Sequence, residues 1–152
     1  MEVERIVLLE NVFCDVFENL AFMFGELVDT SELTNSSTNH VRAKMDFSGA
    51  RTGQVMLTVP NEMCPEIAAN VLGIDPEDDQ VQELAGDALK EMLNIICGQL
   101  LTELEGHDKV FNLSVPEIQN IDSSEWSSLL NKEGSLGFIV DEYPAILYVR
   151  ID

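Results

Sequence analysis

The feature that most constrains this fold is a long amphipathic segment between the acidic run at residues 75–79 and Gly106. On a helical wheel its apolar residues share one wide sector. They are Val81, Leu84, Ala85, Ala88, Leu89, Met92, Leu93, Ile95, Ile96, Leu100 and Leu104. Burying each large side chain contributes roughly 1.5–3 kcal/mol before its entropy cost, so the sector needs a broad apolar partner. We therefore predict a long helix that ends near Glu105 and packs on another layer of structure.

The first third of the chain predicts a second long helix and a hairpin. Residues 3 to about 28 have apolar side chains at helical spacing, and residues 29–39, rich in Ser, Thr and Asn, are typical of a loop. The helical set is Ile6, Leu9, Phe13, Val16, Phe17, Leu20, Phe24 and Leu27. Apolar residues alternate in 41–47 and 53–59, on either side of a Gly-containing connection, which indicates two antiparallel strands.

The remaining patterns complete an α+β layout. Asn61 is placed to cap a helix that ends at Gly73. The tail holds a strand at 112–121, a polar turn, and a second hairpin of 134–141 and 145–151 around Tyr143 and Pro144. We expect one two-layer domain over residues 1–152, with helices on one face of a largely antiparallel sheet. The repeated order of helix and strands hints at a duplicated unit.

The charge balance limits the partners that this chain can bind. It has 8 basic and 28 acidic residues, a formal net charge of −20. Nucleic acids and anionic membranes recruit proteins through Lys and Arg, so we expect neither as a partner. The charge can serve solubility, or it can favour a partner with a basic patch, and both explanations stay open. No apolar run reaches the length of a membrane span, and the first ten residues do not resemble a signal peptide, so we expect a cytoplasmic protein.

The thiols and imidazoles do not form a metal-binding pattern. The three cysteines, Cys14, Cys64 and Cys97, are scattered, and His40 and His107 are far apart in sequence. A structural zinc site needs four such ligands at short paired spacings. We expect the cysteines to be buried and unreactive.

A polar stripe runs along the long predicted helix, opposite its apolar sector. It consists of Asp87, Glu91, Asn94 and Gly98, at positions i, i+4, i+7 and i+11. Glu91 and Asn94 project side by side, and Gly98 leaves a flat place where another protein could approach closely. From spacing alone, a solvated helix face is the stronger explanation. A carboxylate and a carboxamide can orient water and pair with a charge, but they contain no nucleophile of useful strength and could not carry out covalent catalysis alone.

Residues 91–100, with the sequence EMLNIICGQL, resemble the signature of the CheC/CheX/FliY family of chemotaxis phosphatases. In that family a helix carries E-x-x-N, followed four residues later by Gly. The order of hairpin, short helix, acidic linker, motif helix and further strands is also similar. A single full motif in the second half resembles the CheX branch. The first helix offers Asp15, Glu18 and Asn19 without the motif spacing, and we interpret it as a degenerate counterpart whose main role is core packing.

The resemblance implies a CheC-like fold and a function. The chain would accelerate hydrolysis of the aspartyl phosphate on a CheY-like response regulator, in chemotaxis or related two-component signalling. Asn94 would orient the attacking water, and Glu91 would pair with a lysine of the regulator, while Asp87 and Gly98 would contribute to docking. The Mg²⁺ would belong to the regulator, so we expect no cofactor in this chain. Relatives also imply a homodimer that forms through a sheet edge.

Two alternatives remain at this stage. Leu93 stands where family members often have Gly, and Ile95 and Ile96 replace smaller residues. If these side chains tilt the helix, the chain would be an inactive CheX-like module or scaffold that docks a receiver without hydrolysing its phosphate. The second alternative is an acidic α+β domain with a different basic partner, for which Glu91 and Asn94 would be dispensable.

Overall fold

A computed structural model describes residues 1–33 and 39–152. Its helices are α1 (Val3–Ala21), α2 (Cys64–Leu72), α3 (Val81–Glu105) and α4 (Ser123–Leu130). Its strands are β1 (Gly25–Val28), β2 (Asn39–Gly49), β3 (Gly53–Pro60), β4 (Phe111–Leu113), β5 (Glu117–Asp122), β6 (Ser135–Val140) and β7 (Tyr143–Ile151). Short 3-10 turns occupy Thr30–Glu32 and Asn61–Met63. The predicted α+β architecture, with helices on a largely antiparallel sheet, is confirmed.

One seven-stranded antiparallel sheet contains all of these strands in the order β1-β6-β7-β3-β2-β4, with β5 also paired to β2. The order is symmetric about the central β7-β3 pair. The set α1, β1, β2 and β3 corresponds in order to the set α3, β4 with β5, β6 and β7. When the two sets are exchanged, the strand order is the same as before, read from the opposite edge of the sheet. This is the arrangement that two copies of a helix-and-strands unit would produce.

The main core lies between the sheet and the three longer helices. The odd-numbered residues of the first hairpin point into it, because successive side chains in a strand alternate between faces. From β2 and β3 these are Val41, Ala43, Met45, Phe47, Val55, Leu57 and Val59. From α3 the buried set includes Ala85, Ala88, Leu89, Met92, Leu93, Ile96, Cys97, Leu100 and Leu101. The predicted apolar sector of the long helix therefore faces the sheet.

Helix α4 covers part of the opposite face, and it was not predicted. Trp126 and Leu129 pack there against Met56, Ile146 and Tyr148, which belong to the even-numbered set of the strands. The Asp122 carboxylate accepts a hydrogen bond from the Glu125 backbone N–H at 3.0 Å and caps this helix. The Asp-x-x-Glu pattern is present in the sequence, but a helix of eight residues has too few turns for its apolar periodicity to be recognised.

The first helix ends seven residues earlier than expected. It stops at Ala21, and Phe22 adopts a left-handed conformation (φ 54°), which commonly ends helices. The side-chain amide of Asn70 donates to the carbonyl of Ala21 at 2.8 Å, in place of a further helical turn. Phe24 and Leu27 fit helical spacing but do not belong to the helix, because Phe24 is in the connection and Leu27 is in β1.

Three smaller expectations were also wrong. The strand predicted at 112–121 is divided into β4 and β5 at Pro116, which has no N–H to donate to a ladder. The second hairpin turns at Asp141 and Glu142, both with positive φ, instead of at residues 143–144. Asn61 does not cap α2, since it lies in the 3-10 turn before it and makes no capping hydrogen bond.

Other boundaries are confirmed. Gly73 ends α2 with a φ of 70°, and Gly106 ends α3. The first hairpin pairs Val41 with Val59 and Phe47 with Gly53. Of the loop predicted at 29–39, residues 34–38 lie outside the described residues. In the described ranges, no helix has both the length and the apolar character needed to cross a bilayer.

Candidate functional site

Helix α3 is held rigidly on its inner side. Met92 and Leu93, the two residues between Glu91 and Asn94, are fully buried in the main core. The helix packs against both α1 and α2 and against strands β2, β3 and β5. Leu93 therefore fills the core and does not intrude on the outer face. A functional side chain on this helix has a fixed origin, which favours precise positioning.

The predicted stripe lies on the outer side of α3. Asp87 and Glu91 are exposed, and Asn94 and Gly98 are half-buried. Because α3 is a regular helix over Val81–Glu105, Glu91 and Asn94 are neighbours on one surface. The structure thus brings the four predicted residues onto one face.

The side chains of Glu91 and Asn94 make no hydrogen bond or ion pair with any other residue in the described ranges. The carboxylate can therefore accept from a cationic donor, and the carboxamide can both donate and accept. Lys90 lies one turn before Asn94 on the same helix and is half-buried, so a cation stands close to the stripe. The set can bind a polar partner and orient a water molecule, and neither Glu91 nor Asn94 is a strong nucleophile.

Gly98 lines a shallow surface depression of about 190 Å³. The residues that line it with Gly98 are Leu101, Thr102, Gly106, His107, Lys109, Phe111 and Leu113. A Cβ built on Gly98 would meet no heavy atom within 4 Å, so packing inside the chain does not require glycine here. Sequence reasoning missed His107 and Lys109 as neighbours of the stripe. The signal was a histidine and a lysine close together in a chain with only 8 Lys and Arg residues.

The first helix packs beside the motif helix. Between them runs a groove lined by Glu4, Val7, Leu8, Asn11, Val12, Asp15, Gln99 and Glu103. Asp15, Glu18 and Asn19 are all exposed on α1. The buried residues of α1, including Phe13 and Phe17, confirm its role in core packing.

The three thiols and His40 are not part of the stripe. Cys64 and Cys97 are buried, which raises their pKa values to about 12 and about 11. Burial and the charge of Glu10 raise the pKa of Cys14 to about 11. His40 is buried and stacks on Trp126 at 4.1 Å between ring centroids, and burial lowers its pKa. In the described part of the chain, no three His, Cys, Asp or Glu side chains are grouped as metal ligands.

Comparisons with known proteins identify the family to which this chain belongs. The family model described as "Chemotaxis phosphatase CheX" matches residues 41–135, a span that includes the whole stripe. The chain belongs to the CheX family of chemotaxis phosphatases. A search of curated proteins found no match.

Solved structures share the fold at low sequence identity. A chemotaxis protein CheX from Desulfovibrio desulfuricans has a TM-score of 0.72 and 14% identity, covering 99% of this chain and 100% of its own. CheX from Vibrio vulnificus has a TM-score of 0.72 and 16% identity, with coverages of 99% and 97%. CheX in a CheX–CheY–BeF₃–Mg²⁺ complex from Borrelia burgdorferi has a TM-score of 0.66 and 17% identity, covering 99% of each chain.

Proposed function

We propose that this protein is a phosphatase for a phosphorylated CheY-like response regulator. The observation that carries the proposal is the pair Glu91 and Asn94. Both side chains lack partners within the described chain, and both project from a helix whose inner side is locked in the core. Membership of the CheX family supports the assignment. The Borrelia relative was solved with CheY, BeF₃ and Mg²⁺, which makes a receiver the natural partner to test.

The proposed chemistry requires little from this chain. An aspartyl phosphate is already an activated acyl phosphate, and water attacks phosphorus as the bond to the aspartate oxygen breaks. The products are inorganic phosphate and the free carboxylate. In this proposal the Asn94 amide holds the water in line, and the Glu91 carboxylate pairs with a lysine of the receiver and sets the docking register. The divalent cation is supplied by the receiver.

Asp87 and Gly98 extend the proposed contact surface along the stripe. Asp87 adds a second exposed carboxylate one turn before Glu91. The absence of a side chain at Gly98 allows another backbone to approach α3 closely. The net charge of −20 favours receivers whose docking face is basic.

The test is the phosphate lifetime of the organism's own receivers with and without the protein. We expect wild-type protein to shorten the lifetime of at least one receiver and Asn94→Ala to abolish the effect. Gln99→Ala is the matched control, because Gln99 is an exposed amide on the same helix but outside the stripe. Equal acceleration by Asn94→Ala and wild type would refute the catalytic role of Asn94.

The alternative function is a docking module that binds a receiver without hydrolysing its phosphate. The feature that favours this alternative is Ile95, a bulky residue next to Asn94. Its side chain is only half-buried, so a docking protein would contact it. A phosphorylation-dependent pull-down with an unchanged phosphate lifetime would establish this alternative. Restored hydrolysis in Ile95→Ala would show that its bulk, and not a missing residue, blocks the reaction.

We also propose a homodimer formed through the β4 edge of the sheet. Val110, Leu113 and Val115 are exposed along this edge, by 78%, 42% and 81%. Exposed strand edges with apolar side chains pair readily with another chain. Sedimentation of the wild type should show a dimer, and Leu113→Lys should shift it to monomer. A wild type that stays monomeric at high concentration would contradict this proposal.

A further inference from the structure

Two exposed phenylalanines flank a buried residue in the connection between α1 and β1. Phe22 is 67% exposed and Phe24 is 65% exposed, whereas Met23 between them is fully buried. Neither phenylalanine ring contacts another aromatic ring in the described residues. We call Phe22 and Phe24 the aromatic pair. Adjacent large apolar side chains left in water mark a surface that a partner can cover.

Hydrogen bonds on both sides hold the backbone of the aromatic pair. Asn70 of α2 donates its side-chain N–H to the carbonyl of Ala21 at 2.8 Å. The Phe24 N–H donates to the Asp141 carboxylate at 3.1 Å, and the Asp141 N–H donates back to the Phe24 carbonyl at 3.1 Å. Met23 anchors the middle of the segment in the core. A surface that is already ordered loses little entropy when it binds.

The surroundings of the aromatic pair are acidic. The three segments that meet here, residues 18–26, 62–73 and 141–143, contain no Lys or Arg. Their exposed carboxylates, which we call the acidic rim, are Glu18, Glu26, Glu62, Glu66, Asp141 and Glu142. Burial raises the pKa of Tyr143, and the charges of Glu66, Glu62, Glu142 and Asp141 raise it further.

We propose that the aromatic pair and the acidic rim bind a segment of a partner protein that carries large apolar side chains beside Lys or Arg. The apolar side chains would cover the phenylalanine rings, and the cations would pair with the rim or lie over a ring face. A second copy of this chain would bring like charges together, and an anionic lipid surface would be repelled. This surface lies on different elements from the stripe on α3, and the partner in this proposal is a protein other than the receiver.

Two synthetic amphipathic peptides of about 15 residues, each with Leu along one helical face, test the proposal. Peptides of about this length are just long enough to form a helix in water. One peptide has Lys at its polar positions and the other has Glu. We expect the Lys peptide alone to bind the full chain in fluorescence anisotropy, and the binding to weaken as salt is raised. In Phe22→Asn/Phe24→Ser we expect binding to fall roughly tenfold or more. Asn suits position 22 because it tolerates left-handed backbone.

Matched variants separate this surface from general acidity. Val3→Ser removes an apolar residue that is 76% exposed at the start of α1, and it should leave binding unchanged. Glu66→Lys should weaken binding, whereas Glu133→Lys, with the same change in charge outside the rim, should not. Because Glu66 is exposed, its variant also tests the surface without disturbing the core.

Four results would overturn the proposal. The first is equal peptide binding by the double variant and the wild type. The second is an equal loss in the Val3 or Glu133 controls. The third is sedimentation showing that the double variant abolishes self-association, which would make a second copy the occupant. The fourth is slower receiver dephosphorylation by Glu66→Lys, which would assign the surface to the receiver. An inactive wild type would refute the proposed phosphatase and leave the peptide measurements intact.

Discussion

Replacing Gly98 by Ala should make the protein more stable. Gly98 lies inside α3, and an added Cβ would meet no heavy atom within 4 Å. Glycine in a helix interior is less favourable than alanine by about 0.5–1 kcal/mol, so the free energy of unfolding should rise by that amount. For a chain of this size the expected rise in Tm is roughly 1–4 °C. Urea unfolding followed by the fluorescence of Trp126, the single tryptophan, measures the change.

The same substitution should slow dephosphorylation of the receiver. Gly98 is on the stripe, and a methyl group there would obstruct a backbone that approaches α3. Gly86→Ala is the matched control, because Gly86 is buried on the same helix and its added Cβ would meet Ile118 at an ordinary contact distance of 3.5 Å. Both variants should gain stability, and only Gly98→Ala should lose activity. A less stable Gly98→Ala would refute the packing argument, and a stable, fully active one would refute the docking role.

Three further predictions concern the sheet and its second face. Gly53→Ala should lower the free energy of unfolding by more than about 2 kcal/mol in urea titrations, because the new Cβ would clash with the Arg150 carbonyl oxygen. Burial lowers the pKa of His40, so the unfolded state binds this proton more readily, and stability should fall as pH drops below about 6.5. His40→Phe, which keeps a ring against Trp126, should flatten that dependence in pH-resolved thermal melts. Asp122→Ala should lower the Tm and expose Trp126 to acrylamide quenching, because the capping bond of α4 is lost.

Sequence reasoning located the candidate site because one helix contains all of it. Glu91 and Asn94 are related by helical geometry alone, and that geometry does not depend on neighbouring elements. The apolar sector opposite them was equally secure, since 25 residues provide many turns of a consistent period. Leu93 faces the core for the same reason.

Features that depend on contacts between distant residues were missed. Periodicity could not show that the helix ends at Ala21, since Asn70, which donates to the Ala21 carbonyl, is 49 residues further along the chain. His107 and Lys109 lie beside Gly98 because the chain reverses after α3 and enters β4. Helix α4 was missed because it is short, and its burial depends on a sheet face that the sequence pattern left to solvent.

The sequence by itself determined the long amphipathic helix, its polar stripe, both hairpins and the resemblance to the CheX family. Each of these depends on local periodicity or on a contiguous motif. Only the tertiary structure decided that the side chains of Glu91 and Asn94 have no partner among residues 1–33 and 39–152, that an added Cβ at Gly98 would meet no neighbour there, and that Phe22 and Phe24 are exposed beside an acidic rim. The physical reason is that the burial and the hydrogen bonds of a side chain depend on the residues around it in space. The sheet brings those residues together from both halves of the chain.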